Sequence, residues 1–211
     1  MLTDVINQLV DDMKPVSRQA MQKLFLKHAI FGLVMAASIM IVLLGVRHDL
    51  TTAMFTPTLW VKFGYAASLL AIMLPPLLAL SRPVRSTFPW KKFLLLIICL
   101  TFLAVLDMFS VLPNQKKALV IGNSAWVCSG LIMVLAFPIL LALLSAIRKL
   151  APYSSTMAGL AAGIVSGGIS VFIYSFHCPE PGIPFVAIWY TGGVVGTGVI
   201  GAISGRYFLR W

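Results

Sequence analysis

Three cysteines, three histidines and six acidic residues are the chain's whole stock of thiols, imidazoles and carboxylates. Cys178 stands in the string His177-Cys178-Pro179-Glu180, at the end of an apolar run, where it should be near water. A neighbouring imidazole can supply positive charge or take a proton, and both favour the thiolate, the species that reacts. Cys128 lies inside another apolar run, where a lone cysteine ordinarily packs as a small hydrophobe. Cys99 lies in a third run, and no pair shows the C-x-x-C spacing. A Cys128–Cys178 disulfide needs Cα atoms within about 7 Å. Counted along a straight helix, Cys128 is roughly 15 Å below the start of its run. Such a bridge therefore requires a tilted or broken helix end. Two sulfurs and an imidazole would also suit Zn²⁺ or Cu(I), but with no confirmed third or fourth ligand the metal stays unassigned.

Asp107 is the one carboxylate well inside an apolar run, six residues before Pro113. Acids within a membrane usually face the bundle or a cavity, which makes Asp107 a functional candidate. Its shallow depth suits a capping or headgroup-level role equally. Ion or proton transport would want several buried charges or helices broken near the midplane. None of the strings G-x-S-x-G, H-E-x-x-H, G-x-G-x-x-G or a P-loop is present. With no complete catalytic constellation, the chain does not read as an enzyme, and no cofactor is expected.

These groups must be positioned by apolar elements. The 211 residues are 60% hydrophobic and 10% charged, with a mean hydropathy of +0.98. Soluble domains are about half apolar and about one quarter charged. A span needs about 20 apolar residues, and six runs approach that length: 29–46, 59–80, 93–112, 119–147, 156–176 and 184–205. The expected fold is an all-α polytopic membrane protein, a six-transmembrane-helix bundle (29–211) preceded by an N-terminal arm (1–28). Lys62 is close enough to the start of its run to snorkel outward. Pro75-Pro76 and Pro138 should kink or bend their helices. The first run opens only near Ala29 and ends in Gly45-Val46-Arg47 with no small-residue cleavage site, so it reads as a retained helix rather than a signal peptide.

The net charge of +10 reflects topology rather than nucleic-acid binding. Lys14, Arg18, Lys23, Lys27, Arg82, Arg85, Lys91, Lys92, Arg148, Lys149, Arg206 and Arg210 belong to one set of alternate connections, 12 in all. The other set holds Arg47, Lys62, Lys116 and Lys117, which is 4. The positive-inside rule puts the first set, and both termini, in the cytoplasm, near anionic lipid. Trp60, Trp90 and Trp211 fall at run ends, where such rings favour the headgroup level. Trp126 and Trp189 read as deeper residues packing in the bundle.

Within the arm, Val5, Ile6, Leu9, Val10 and Met13 share one helical face. Thr3 fits an N-cap, Asp4 suits the first turn, and Pro15 ends the segment. The face suits membrane lipid or the groove of a cytosolic partner. Asp4, Asp11 and Asp12 fit a basic partner better than anionic lipid. In the fifth and sixth runs Gly159/Gly163, Gly163/Gly167 and Gly192/Gly196 form small-xxx-small pairs that let backbones approach closely. Sliding between states is the functional alternative for these helices.

Several landmarks occur together: Thr3-Asp4 with Lys14-Pro15-Val16; Leu119 to Cys128 with Gly122-Asn123-Ser124; Arg148-Lys149-Leu150-Ala151-Pro152; His177-Cys178-Pro179-Glu180; Ile188-Trp189-Tyr190; and Gly205-Arg206 to Leu209-Arg210-Trp211. In this combination the chain resembles the NrsF family of bacterial anti-sigma factors over nearly its whole length. The resemblance implies a six-helix protein of the bacterial inner membrane that holds an extracytoplasmic-function sigma factor inactive. It implies Cys128 and Cys178 as sensor thiols for metal or oxidative stress; His177, Glu180 and Asp107 are the supporting candidates beside them. Cys99 has no place in that pattern. The arm would be the sigma contact, although its second half departs from the family's arginine- and proline-rich version. A small transporter or metal-handling protein using Asp107, His177 and the cysteines is the alternative. A membrane thiol oxidoreductase is disfavoured, because no electron acceptor is visible.

Overall fold

The computed structural model describes residues 18–83 and 85–209. Val5, Ile6, Leu9, Val10 and Met13 of the arm lie outside them. The helices are α1 (Arg18–Ile39), α2 (Leu50–Ala53), α3 (Pro57–Leu80), α4 (Trp90–Phe109), α5 (Lys116–Ile121), α6 (Ala125–Arg148), α7 (Ser155–Tyr174), α8 (Ile183–Phe185) and α9 (Thr191–Phe208). Two π-helical segments, Met40–Leu44 and Val186–Tyr190, prolong α1 and join α8 to α9. Six of these units are long and apolar enough to cross a membrane: Met21–Leu44, Pro57–Leu80, Trp90–Phe109, Lys116–Arg148, Ser155–Tyr174 and Ile183–Phe208. The protein is an all-helical bundle.

Helix boundaries follow local chemistry. Pro57 opens α3 at a position where its missing N–H costs nothing. The Ser154 hydroxyl caps α7 by accepting from the Met157 N–H at 3.4 Å. Gly45 ends the first span at φ +73° and Gly122 ends α5 at φ +55°, a region glycine enters without strain. The first span begins earlier than its apolar run. Helix α1 starts at Arg18, and Met21 and Phe25 are buried in the core. The fourth run is not one straight rod: the segment Gly122-Asn123-Ser124 interrupts it between α5 and α6.

Helix α7 forms the centre and is buried on nearly every side. Its glycines make this possible. A Cβ on Gly159 or Gly163 would overlap the carbonyl of Gly201 or Thr197 on α9, and one on Gly201 would lie 2.9 Å from the Gly163 Cα. With lipid as solvent, such backbone-to-backbone dispersion contact is what holds helices together. The second glycine edge does a different job from the one expected. Gly193 and Gly196 face Ile132 and Met133 of α6, so α9 uses one glycine face for α7 and another for α6. Helix α4 is peripheral, with only Phe93, Leu100 and Ala104 buried.

The bundle has two ends. The basic end carries Arg82, Arg148, Lys149 and Arg206, and is tied by Tyr153 N–H to the Arg82 carbonyl (3.2 Å) and the Ser155 hydroxyl to the Leu209 carbonyl (3.1 Å). The thiol end carries Gly45, the α5–α6 break and the turn after α7. Trp60 and Trp90 are exposed near span ends as expected. Trp126 is not deep. Because α6 begins only at Ala125, its ring is 82% exposed and packs edge-on against Trp189 at 4.9 Å. Trp189 is half-buried, its indole N–H donating to the Val120 carbonyl at 2.9 Å.

Candidate functional site: a buried thiol pair

The site is assembled from the ends of three spans. Helix α7 finishes at Tyr174, and the chain folds back beneath it. The His177 and Cys178 N–H groups both donate to the Tyr174 carbonyl, at 2.9 and 3.1 Å. Opposite, the Gly122–Ser124 break starts α6 anew, and the Cys128 N–H closes its first turn on the Ser124 carbonyl at 2.8 Å. The break lifts Cys128 to the head of the buried face that continues through Ile132, Leu135 and Ile139. The depth mismatch computed for a straight helix thereby disappears.

Both cysteines are free and the two sulfurs lie 3.7 Å apart. A disulfide has S–S of about 2.05 Å, so a small approach would join the pair. Cys128 Sγ also contacts the Tyr174 hydroxyl at 2.9 Å and the Ser124 hydroxyl at 3.2 Å. The π-helical segment before α9 brings in Tyr190, fully buried. Its hydroxyl lies by Cys178 but makes no hydrogen bond of regular geometry. Segments of this kind are often found at functional sites.

Two expectations about Cys178 need correction. The thiol is not near water but 0% exposed, as is Cys128, because the returning turn tucks it under α7. His177 does not serve the sulfur. Its ring nitrogen is hydrogen-bonded to the Gly45 carbonyl at 2.9 Å, beyond the end of α1. The positive charge comes from Lys62, which does not snorkel. Lys62 is 1% exposed, and its ammonium donates to the carbonyls of Cys178 (3.0 Å) and Glu180 (2.9 Å) beneath the Tyr190 ring. Leu59, Lys62, Ala66, Leu69 and Met73 fall at three- and four-residue spacing on the buried face of α3. That periodicity was the signal that Lys62 points inward.

The surroundings set the acidity of Cys178. The hydrogen bond from Cys128, the Lys62 charge, the Tyr190 hydroxyl and the Glu180 N–H pull its pKa down to about 6, against the opposing effect of burial. These partners favour the thiolate form of Cys178.

The other expected residues are structural supports here. Glu180 Oε1 accepts from the Asn123 N–H (2.9 Å) and the Ser124 hydroxyl (3.0 Å), latching the α5–α6 break to the Cys178 turn. Gly122 lies under this carboxylate, and a Cβ there would come within 2.6 Å of Glu180 Oε2. Asp107 Oδ2 accepts from the Ile183 N–H at 3.1 Å and so caps α8. Cys99 is exposed on α4, outside the cluster. Arg47, absent from the sequence-based set, donates its backbone N–H to the Phe176 carbonyl (3.1 Å) and a guanidinium N–H to the Cys178 carbonyl (3.3 Å). It also pairs with Asp49 at 2.6 Å, and this hydrogen bond holds the exposed carboxyl down to about 2. Among the described residues, no three His, Cys, Asp or Glu side chains come together as metal ligands.

No solved structure matches this chain. Two named proteins are similar to it over most of their length. One is the probable anti-sigma-F factor NrsF of Azospira oryzae, 34% identical over 182 residues, 86% of this chain and 85% of that protein. The other is the anti-sigma-F factor NrsF of Caulobacter vibrioides, 36% identical over 186 residues, 85% of this chain and 86% of that protein. Residues 9–211, which include the α5–α6 break, the thiol pair and the Tyr190 segment, match the family described as negative regulator of sigma F, and the chain belongs to that NrsF family.

Proposed function

We propose that this protein is a membrane anti-sigma factor that holds an extracytoplasmic-function sigma factor at the bacterial inner membrane and releases it when its thiol pair reacts. The observation that carries the sensing half is the buried 3.7 Å contact between Cys128 and Cys178. The anti-sigma half rests on the two named relatives. In this reading the protein is a regulator rather than an enzyme, and binds no nucleic acid itself.

The redox step needs a two-electron oxidant, for example a hydroperoxide. The Cys178 thiolate attacks the peroxide oxygen, the O–O bond breaks, and the departing hydroxide takes a proton to become water. The resulting sulfenic acid is attacked by the Cys128 sulfur, whose proton leaves with the hydroxyl as a second water. Two thiols lose two electrons and one hydrogen peroxide becomes two waters. A thiophilic metal ion bridging the two sulfurs would clamp the same turn.

Transmission has a hydrogen-bonded route into the first span. The Cys178 turn is fastened to the end of the first span through Gly45 and Arg47. That span is continuous back to Arg18, so α1 itself includes the second part of the sigma-binding arm, residues 1–28, and residues 1–17 precede it in the chain. Movement of the turn is thus felt at the arm through α1. Val5, Ile6, Leu9, Val10 and Met13 form the docking face, with the acidic residues meeting a basic partner.

The test is capture of the sigma factor from cytosol by the full-length protein and by protein lacking residues 1–17. Capture is expected only with the arm present. Leu9→Asp puts a charge on the apolar face and should weaken binding by a few kcal/mol, while membrane insertion is unchanged. Equal capture by Leu9→Asp and wild type would remove the stripe as the docking face.

Topology is tested separately. With the basic end cytoplasmic, reporter fusions ahead of Arg18, between 81 and 89, between 149 and 154 and after Trp211 should read cytoplasmic. Fusions near Asp49, Asn114 and Glu180 should read periplasmic. A periplasmic C-terminus would rule out this orientation.

A further inference from the structure

A buried ammonium is costly unless an anion or several acceptors compensate it. Lys62 is 1% exposed, and no carboxylate pairs with it among the described residues. Glu180, the nearest acid in the turn, gives Lys62 its backbone carbonyl and directs its carboxylate to Asn123 and Ser124. Arg47, the other cation at the turn, is already committed to Asp49. The Lys62 ammonium is left with the Cys178 and Glu180 carbonyls and the face of Tyr190, in the same turn as the Cys178 sulfur.

We propose that Lys62 is the fixed counter-charge of Cys178, a positioning residue that makes Cys178 rather than Cys128 the thiolate of the pair. This rests on the thiol-sensing reading of the site and adds the residue that decides which sulfur reacts. The two cysteines are otherwise alike in burial, and the asymmetry comes from their partners. Cys128 faces the hydroxyls of Tyr174 and Ser124. Cys178 sits in the turn whose carbonyls hold the ammonium. Lys62 lowers the pKa of Cys178, second among the favourable influences after the Cys128 hydrogen bond. The groups facing Cys178 are Lys62 from α3, Arg47 from beyond α1, Cys128 from α6, Tyr174 from α7, Tyr190 from before α9, and Glu180 in its own turn. His177 faces Gly45 instead. A thiol with depressed pKa is ionised above about 6 and loses its charge as pH falls through that value.

The experiment uses purified full-length protein carrying Cys99→Ser, and follows thiolate absorbance near 240 nm from acid to neutral pH. This readout needs no reagent to enter the bundle. The Cys178→Ser protein supplies the baseline. Wild type should show one thiolate appearing around pH 6. Lys62→Met should lose it, the thiolate fraction at pH 7 falling about tenfold, and Lys62→Arg, which keeps the charge, should restore it. An unchanged titration in folded Lys62→Met overturns the assignment and leaves the sensing reading intact. Reporter induction that persists in Lys62→Met after the thiolate is lost upholds the assignment and overturns the sensing reading. If Lys62→Met does not fold, wild type still decides. Limited alkylation at pH 7 with peptide mapping should mark Cys178 before Cys128, and the reverse order overturns the proposal.

Discussion

Cells carrying Cys128→Ser, Cys178→Ser or both should show no induction of a sigma-dependent reporter on hydroperoxide or thiophilic-metal stress, while Cys99→Ser cells respond as wild type. The double variant should be no worse than either single one, because a bridge needs both sulfurs. The expected size follows from what a bridge supplies. A disulfide is typically worth about 2–4 kcal/mol, which moves a two-state equilibrium by about 30- to 1,000-fold. Serine keeps a polar atom for the Tyr174 and Ser124 hydroxyls that contact Cys128, so the unstressed state should persist. Immunoblots of membrane fractions establish that protein levels are equal. Full induction in the double variant would eliminate the thiol switch and leave sequestration of the sigma factor standing.

The second large effect is expected in the α7–α9 seam. Gly201→Leu should prevent accumulation of folded protein. The added Cβ overlaps the Gly159 carbonyl and lies 2.9 Å from the Gly163 Cα. Neither backbone atom can rotate away, so the helices must part along their length and lose their dispersion contacts. Overpacking in a core costs typically about 1–3 kcal/mol, and a seam of facing backbones should exceed that. Gly64→Ala is the control. Nothing lies within 4 Å of its added Cβ, and alanine should gain up to about 1 kcal/mol of helix propensity. Thermal unfolding of detergent-solubilised protein, read by size-exclusion chromatography, measures both. A Gly201→Leu protein melting with wild type would show that the seam is looser than these contacts imply.

The spans were legible because each writes itself locally, as a run of apolar residues long enough for a bilayer. The glycine seam was legible for the same reason, through its four-residue spacing. The site was only half legible. Cys128 and Cys178 could be paired by resemblance, but the geometry joining them depends on contacts far along the chain. The break at Gly122–Ser124 is held by Glu180, 57 residues beyond Asn123, and no local window contains both. Lys62 near the start of an apolar run suggests snorkelling when read by depth alone. Its facing is set by the stripe of Leu59, Ala66, Leu69 and Met73. Which group Asp107 would cap was not legible, because α8, a three-residue helix, is invisible as a separate element in sequence.

The complete burial of both sulfurs has a kinetic corollary. With each cysteine at 0% exposure, a dissolved reagent reaches them only through transient local opening. The observed rate is then the product of an opening equilibrium and the intrinsic rate of the open thiolate. Every 1.4 kcal/mol or so added to the opening free energy slows the reaction about tenfold. The Glu180 latch over the α5–α6 break belongs to that first factor and Lys62 to the second. The rate at which the pair reacts is therefore adjustable at two separate positions. Loosening the latch changes how often the site is reached, with no change in the chemistry that follows.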